Sequence, residues 1–291
     1  MECPDCRTQP TQSAGRSKKA IVLVSVTIIA VVVLAIALVV VFTRGNGGAT
    51  SSSNKAINEF TGGNVVSVKD KGSTPYAFGT QTEYQGTWDG DAVSFDVDNK
   101  TGEVRGLFRY GQRGDEVNIS QGQAETIATA FAREHYKDFE SLGLEEVERE
   151  LIDHGAGTDK SYSFAWQKTD QSTGVILPYS VELRVNASTG KVDSYSSFKA
   201  HVTISTKPTV SKDEAGRKSV EAVSSSFPEA KVSGNPACVV TTLPVGEPNG
   251  TQSLLWVVPV EVTRSNNASV RGAIVYINAL TGKAEKVDPY I

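Results

Sequence analysis

The sequence is poor in the residues that most often build metal centres and disulfide frameworks. Its 291 residues include only three Cys, three His and one Met. So few Cys and His leave little material for a multi-metal site or for the several bridges that hold small secreted domains together. The chain has no basic excess either, because its formal net charge is -4. We therefore expect no nucleic acid among its partners.

Motifs that carry catalysis are equally scarce. The zincin motif His-Glu-x-x-His is incomplete, because Glu134-His135 lacks the second histidine. The remaining histidines, His154 and His201, show no ligand spacing, and no nucleophile elbow or phosphate-binding glycine loop is present. The acidic residues Asp96 and Asp98 do not fit a calcium loop, and strand alternation predicts that they lie on a solvated polar face. We therefore predict no catalytic residue, no cofactor-binding residue and a protein that is not an enzyme.

One long apolar segment lies near the N-terminus. From Ala20 to Phe42, 23 consecutive residues carry no charge and are almost all Ala, Val, Ile or Leu. A helix of this length spans roughly 30 Å, the thickness of a bilayer core. Four basic residues precede the segment and only Arg44 follows it immediately, which favours a cytoplasmic N-terminus. We therefore predict an uncleaved signal-anchor, residues 20–43, that contacts membrane lipid in a single-pass protein of the cell membrane with extracytoplasmic C-terminal domains.

The predicted cytoplasmic tail, residues 1–19, contains a Cys-x-x-Cys pair formed by Cys3 and Cys6. Structural zinc usually takes four ligands from two such pairs, and only one pair is present here. The sequence leaves two interpretations open: two chains share one zinc ion, or the tail binds no metal. Cys3 and Cys6 are thus the candidate metal ligands.

A repeated pattern occurs three times after the apolar segment. Each copy has alternating apolar residues, then Asp or Asn, two spacers and Thr-Gly. The copies are Phe95–Val104, Leu183–Val192 and Val275–Ala284. Asp or Asn accepts hydrogen bonds from the backbone of a turn, and Gly adopts the positive φ that a short loop needs. The pattern therefore predicts three β-hairpin turns.

Two of these copies follow a predicted helix start. Ser120-x-x-Gln123 and Ser211-x-x-Glu214 have the pattern of a capping box, so helices are predicted from Gln121 and Lys212. The cap serines precede the turn glycines by nearly equal distances of 70 and 71 positions. This recurrence indicates two complete repeats and, before them, a partial repeat without a helix.

These observations predict an α+β fold, with one transmembrane helix followed by tandem two-layer units, each a helix packed on an antiparallel sheet. The predicted segments after the anchor are a flexible linker (44–59), a strand-rich partial repeat (60–113) and two full repeats (114–205 and 206–291).

The capped helix and the closing hairpin together resemble the PepSY family of small extracytoplasmic domains. The resemblance lies in Ser120–Phe131, Tyr179–Tyr195, Ser211–Phe227 and Ala273–Val287. It implies a non-catalytic binding module that inhibits or regulates a peptidase. The sequence contains no peptidase domain, so the implied partner is a separate secreted peptidase or an extended peptide. The alternative is a structural or sensory envelope protein whose Cys pair binds metal or partners.

Overall fold

The computed structural model describes residues 51–111, 114–153, 159–245, 250–262 and 270–290. The helices are α1 (Ser51–Phe60), α2 (Gln121–His135) and α3 (Lys212–Val223). The strands are β1 (Val65–Tyr76), β2 (Gly79–Trp88), β3 (Asp91–Asp98), β4 (Val104–Arg109), β5 (Glu145–Asp153), β6 (Lys160–Thr169), β7 (Ile176–Asn186), β8 (Val192–Lys199), β9 (Ala230–Val232), β10 (Ala237–Leu243), β11 (Thr251–Val262), β12 (Gly272–Asn278) and β13 (Ala284–Tyr290).

The prediction of a membrane anchor is not supported by the described part of the structure. Among the residues described above, no helix combines the length and the apolar character needed to span a bilayer. This finding contradicts the expected localisation, a single-pass protein of the cell membrane. The segment predicted to cross the membrane, residues 20–43, and the tail with Cys3 and Cys6 lie outside the described residues.

The predicted fold class is also wrong, because the strands do not form a separate sheet in each repeat. They join one thirteen-stranded mixed sheet in the order β1-β2-β3-β4-β8-β7-β10-β11-β12-β13. Strands β6 and β5 extend the sheet from β7, and β9 pairs with β11. Every pair is antiparallel except β7 with β10, which meet in parallel at Ile176 and Val239. The physical reason is that each open sheet edge has free backbone N–H and C=O groups, which pairing between repeats satisfies.

The first part of the chain has a helix that was not predicted from the sequence. Helix α1 occupies most of the segment predicted as a flexible linker, whose many serines suggested a spacer. Ile57 and Phe60 of this helix are buried in the core on one face of the sheet. The Phe60 ring lies 5.8 Å from Phe131 of α2 and 5.6 Å from Tyr195 of β8, measured between ring centroids. Helices α1 and α2 therefore cover the same face of the sheet.

The two predicted helix starts are confirmed. Helix α2 begins at Gln121, and its N-cap Ser120 forms the complete capping box with Gln123. Helix α3 begins at Lys212, and the Ser211 side chain accepts a hydrogen bond from the Glu214 N–H. Satisfying these first backbone donors fixes where each helix begins.

The three predicted hairpin turns are confirmed, with the same hydrogen bonds in each. Every turn begins with an Oδ1 atom that accepts two backbone N–H groups at 2.7 to 3.0 Å. The residues that supply it are Asp98, Asn186 and Asn278. Each turn ends with a glycine at φ between 71° and 73°. They close the hairpins β3–β4, β7–β8 and β12–β13.

The turn glycine at position 190 provides a test of this geometry. A Cβ at Gly190 would meet only ordinary contacts, the nearest being Ile127 Cδ1 at 3.6 Å, so the strain of Gly190→Ala comes from φ alone. We expect Gly190→Ala to lower the free energy of unfolding by about 1–2 kcal/mol, measured by urea denaturation. The control Gly122→Ala, in α2 with open space around the new Cβ, should leave stability unchanged or raise it by up to about 1 kcal/mol. Equal effects of both substitutions would contradict the turn geometry.

Candidate functional site

A cavity of about 290 Å³ lies on the sheet face opposite α1 and α2. On β3, β4, β7 and β8, buried apolar residues alternate along the strand and face the helices. Phe95, Leu107 and Leu183 are examples, and they are buried in the core. The intervening residues face the other way, because side chains alternate along a strand. We call this other side the open face. The cavity is centred where β4 pairs with β8, between the partial repeat and the first full repeat.

The floor of the cavity is made of small residues. Gly106 of β4 pairs directly with Ser196 of β8, and Ser194 and Ser180 also line the cavity. Because these side chains are short, a ligand can come close to the backbone of the sheet there. The serine hydroxyls both donate and accept hydrogen bonds. The floor can thus hydrogen-bond to a polar ligand.

A row of directly paired residues crosses the open face at this level. It runs through Glu83, Asp96, Gly106, Ser196, Glu182, Ala165 and Glu148. Neighbouring strands are about 4.8 Å apart, so the row is roughly 29 Å long. Four carboxylates therefore share one face, with the small residues of the cavity between Asp96 and Glu182. The expectation that Asp96 and Asp98 lie on a solvated polar face is wrong, because Asp96 is partly buried in the cavity wall and Asp98 is only 4% exposed.

Two of these carboxylates have raised pKa values. Burial raises the pKa of Asp96 to about 6, and the negative charge of Glu83 adds to this while Arg105 opposes it. Burial raises the pKa of Glu182 to about 7, with Arg184 lowering it and Glu148 raising it. Removing a carboxylate from water disfavours its charged form, which is the main cause in both cases.

Arg105 forms a fixed wall of the cavity. Its guanidinium lies 3.9 Å from the centroid of the Tyr76 ring, and its Nε and Nη2 atoms donate to the Ser197 carbonyl at 3.2 and 3.0 Å. The Nη1 atom is 3.8 Å from Asp98 Oδ2, and the side chain is only 11% exposed. Asp98 also accepts a hydrogen bond from the Tyr76 hydroxyl. Arg105 thus donates to the Ser197 carbonyl and pairs electrostatically with Asp98, while its buried Nη1 atom has no hydrogen-bond partner among the described residues.

The pair formed by Asp98 and Arg105 distinguishes the first hairpin from the other two. At the equivalent positions, Asn186 donates to Asp193 at 3.1 Å and Asn278 donates to Glu285 at 3.3 Å. The turn function of the first residue is the same in all three hairpins. Only the first hairpin uses a carboxylate there, and its partner is an arginine that faces the cavity.

Aromatic side chains border the cavity. Phe198 stacks near Arg105 at one end, with 5.0 Å between its ring centroid and the guanidinium carbon. At the other end Phe108 is 39% exposed although it is a large apolar side chain, and its ring lies 4.8 Å from that of Tyr110. Exposed aromatic rings beside a polar floor are typical of surfaces that bind a ligand with both apolar and polar groups.

The histidines considered in the sequence analysis do not contribute to this site. His135 lies on the helix side of the sheet between Phe60 and Phe131, with ring centroids 4.0 and 4.1 Å away. Burial lowers its pKa, although Glu134 acts in the opposite direction. His154 lies outside the described residues, and His201 does not line the cavity.

The structure does not test the predicted metal ligands. Over the ranges that the structure covers, no group of three or more His, Cys, Asp or Glu side chains is placed to hold a metal ion. Cys3 and Cys6, the candidate zinc ligands, are outside those ranges, so zinc binding by this pair stays a prediction. The expected absence of catalytic residues also stays a prediction.

A family model matches the part of the chain that forms the cavity. Residues 74–199 match the family model described as the YcdB, YcdC repeated domain, and every residue that lines the cavity lies within this segment. The match agrees with the prediction of a repeated domain, whereas PepSY membership itself stays a proposal. Among solved structures, the Bacillus megaterium YpeB C-terminal domain is 20% identical, with a TM-score of 0.44, over 85% of this chain and 100% of that one. No curated protein matches the chain.

The raised pKa values predict a dependence of stability on pH. The folded state binds the protons of Asp96 and Glu182 more tightly than the unfolded chain does, so the contribution of both groups to stability is complete below about pH 4 and is lost as pH rises through 6 to 7. We expect Asp96→Asn and Glu182→Gln each to raise the free energy of unfolding at pH 8 by about 2–3 kcal/mol. At pH 4 the gain should vanish.

Urea denaturation at the two pH values measures this effect. The control Asp89→Asn removes one carboxylate from an exposed turn between β2 and β3, at a φ of 50° that both Asp and Asn adopt, and reports the effect of a charge change outside the cavity. If Asp96→Asn were destabilising at pH 8, the carboxylate would be making favourable contacts that contradict the electrostatics described above.

Proposed function

We propose that this protein is a non-catalytic binding module that holds an extended polypeptide segment in the cavity on the open face of its sheet. The observation that carries the proposal is the cavity itself, a concave site with a small polar floor, aromatic borders and one fixed arginine. Concave sites with a few convergent polar groups are the usual places where proteins bind ligands.

The shape of the site favours an extended chain. The row of paired residues that crosses the cavity continues on both sides over the open face, from β2 to β5. An extended peptide rises about 3.3 Å per residue, so four or five residues cross the part of the row between Asp96 and Glu182. Its backbone N–H and C=O groups meet the serine hydroxyls of the floor, and its apolar side chains meet Phe108 and Phe198.

Two features support binding over catalysis. Of the residues that the structure describes, no histidine lines the cavity, so none supplies its serines with an imidazole base. The two carboxylates with raised pKa values do not act on one another, since each is influenced by other charges. The two catalytic carboxylates of glycoside hydrolases, by comparison, lie about 5–9.5 Å apart, and carboxylates that share a site shift each other's pKa values. Asp96 and Glu182 therefore behave as two separate groups.

A selection from a displayed library of random peptides tests the proposal. We expect enriched peptides to bind the purified chain with micromolar Kd, and Ser196→Trp to abolish binding because the indole fills the floor of the cavity. Ser225→Trp is the matched control, since it places the same side chain at an exposed position after α3. Failure to enrich any peptide, or equal binding by Ser196→Trp, would contradict the proposal.

Inhibition or regulation of a peptidase is the narrower form of the proposal. It is supported by the resemblance to PepSY domains, and a site that holds an extended chain suits either a peptidase segment or its substrate. Against a panel of secreted metallopeptidases, we expect the purified chain and Ser225→Trp to slow hydrolysis of a fluorogenic peptide by at least one member, and Ser196→Trp to have no effect. Unchanged rates across the panel would remove the regulatory role and leave peptide binding in place.

The alternative is a structural or sensory protein whose Cys pair binds metal or partners. It is supported only by the sequence motif at Cys3 and Cys6. Comparing the zinc content of the purified chain with that of a Cys3→Ser/Cys6→Ser variant tests this alternative.

A further inference from the structure

We infer that the cavity binds a cationic side chain, the ammonium of Lys or the guanidinium of Arg, next to the carboxylate of Asp96. This inference rests on the proposed function and specifies the chemistry of the segment that is bound. It follows from the position of Asp96, from the ion pairs that the nearby arginines form with other carboxylates, and from the aromatic ring beside Asp96.

The Asp96 carboxylate extends over the backbone of β4 toward the cavity. Gly106 lies directly opposite Asp96, and a Cβ at Gly106 would be only 2.7 Å from Asp96 Oδ2. Glycine at this position therefore allows the carboxylate to occupy the space above β4. Within the described part of the chain, the Asp96 carboxylate has no hydrogen-bond donor. A partly buried carboxylate without a donor is costly, and a cationic ligand would supply one.

The charges around Asp96 do not neutralise it. The negative charge of Glu83 on β2 raises the pKa of Asp96, and the positive charge of Arg105 on β4 lowers it. Arg105 already donates to the Ser197 carbonyl and faces Asp98. On the far side of the cavity, Glu182 has its own partner, because Arg184 Nη2 lies 3.8 Å from Glu182 Oε1. Among the described residues, Asp96 is thus the carboxylate lining the cavity that forms no ion pair.

An aromatic ring favours a cation at the same place. Phe108 pairs with Ser94, two residues before Asp96 on β3, and its half-exposed ring borders the cavity. The face of an aromatic ring attracts cations, and the ring surface covers the methylene groups of a Lys or Arg side chain. The site therefore offers a carboxylate for the charge and an apolar wall for the stem.

The raised pKa of Asp96 predicts how binding depends on pH. A bound cation favours the ionised carboxylate, so affinity for a cationic peptide should increase as pH rises through about 6. The same change ionises Glu182, whose pKa is about 7, but that group faces Arg184. A neutral peptide in the same cavity lacks this dependence on Asp96.

Three probe peptides that differ at one position test the inference. They are acetyl-Gly-Thr-Val-Xaa-Val-Thr-Gly-amide with Xaa as Lys, norleucine or Glu, and Kd is measured by isothermal titration calorimetry at pH 8 and pH 5. We expect the Lys peptide to bind about tenfold tighter than the norleucine peptide at pH 8, as a charge-assisted hydrogen bond implies. At pH 5 this preference should largely disappear.

Substitutions in the chain then show which carboxylate causes the preference for the Lys peptide. Asp96→Asn should remove it while binding of the norleucine peptide persists, which shows that the cavity is still folded. Glu182→Gln should reduce the preference less than Asp96→Asn does, because Arg184 already pairs with Glu182. Asp89→Asn, on an exposed turn away from the cavity, should keep the full preference. A preference that Glu182→Gln removes and Asp96→Asn retains would overturn the assignment to Asp96.

The outcomes separate this inference from the proposed function. If the Lys and norleucine peptides bind alike and Ser196→Trp abolishes both, peptide binding stands and the cationic preference is wrong. Tighter binding of the Glu peptide would overturn the preference as well. If no peptide binds but n-butylammonium binds and Asp96→Asn abolishes it, the cation site stands and the peptide module is wrong. If neither the peptides nor n-butylammonium bind, both are wrong.

Discussion

Strands β4 and β8 come from distant parts of the chain, and their antiparallel pairing turns two groups of strands into one sheet. Gly106 pairs with Ser196, 90 positions later in the sequence. The pairing satisfies two strand edges that would otherwise present free backbone groups to solvent. It also brings the polar sides of β3, β4, β7 and β8 together on one surface, and the cavity lies across this junction. The helices α1 and α2 meet on the opposite surface through Phe60 and Phe131.

Local signals in the sequence were sufficient for the helix starts and the hairpin turns. The side chains of Ser120 and Ser211 each accept a hydrogen bond from a backbone N–H three residues later. Those of Asn186 and Asn278 do the same within their turns, so all these partners are close in the sequence. The pairing of β4 with β8 has no such local signal, because hydrogen bonds between strand edges depend on the backbone and not on residue type. Separate two-layer units were predicted for this reason. Helix α1 was missed because its burial depends on only a few apolar residues, chiefly Ile57 and Phe60.

The candidate site could not be predicted from the sequence for a related reason. Asp96 and Glu182 are 86 positions apart and share a surface only because the register of three strand pairs places them in one row. Strand alternation correctly placed Asp96 away from the apolar core but did not reveal the walls around it. The signal available in hindsight is the run of small residues, Gly106 with Ser194 and Ser196. On a solvated strand face, long polar side chains are more usual than a floor of Gly and Ser.

The electrostatics of the cavity link stability to binding. At neutral pH the desolvated carboxylates of Asp96 and Glu182 oppose folding, and nothing in the packing of the core requires their charge. Amide or apolar side chains of similar size would fit the same positions at lower free energy. A group that destabilises the free protein is offset when a ligand of opposite charge binds only the folded state. The free-energy cost of Asp96 in the empty cavity and the affinity of the cavity for a cation are therefore two consequences of one unpaired charge.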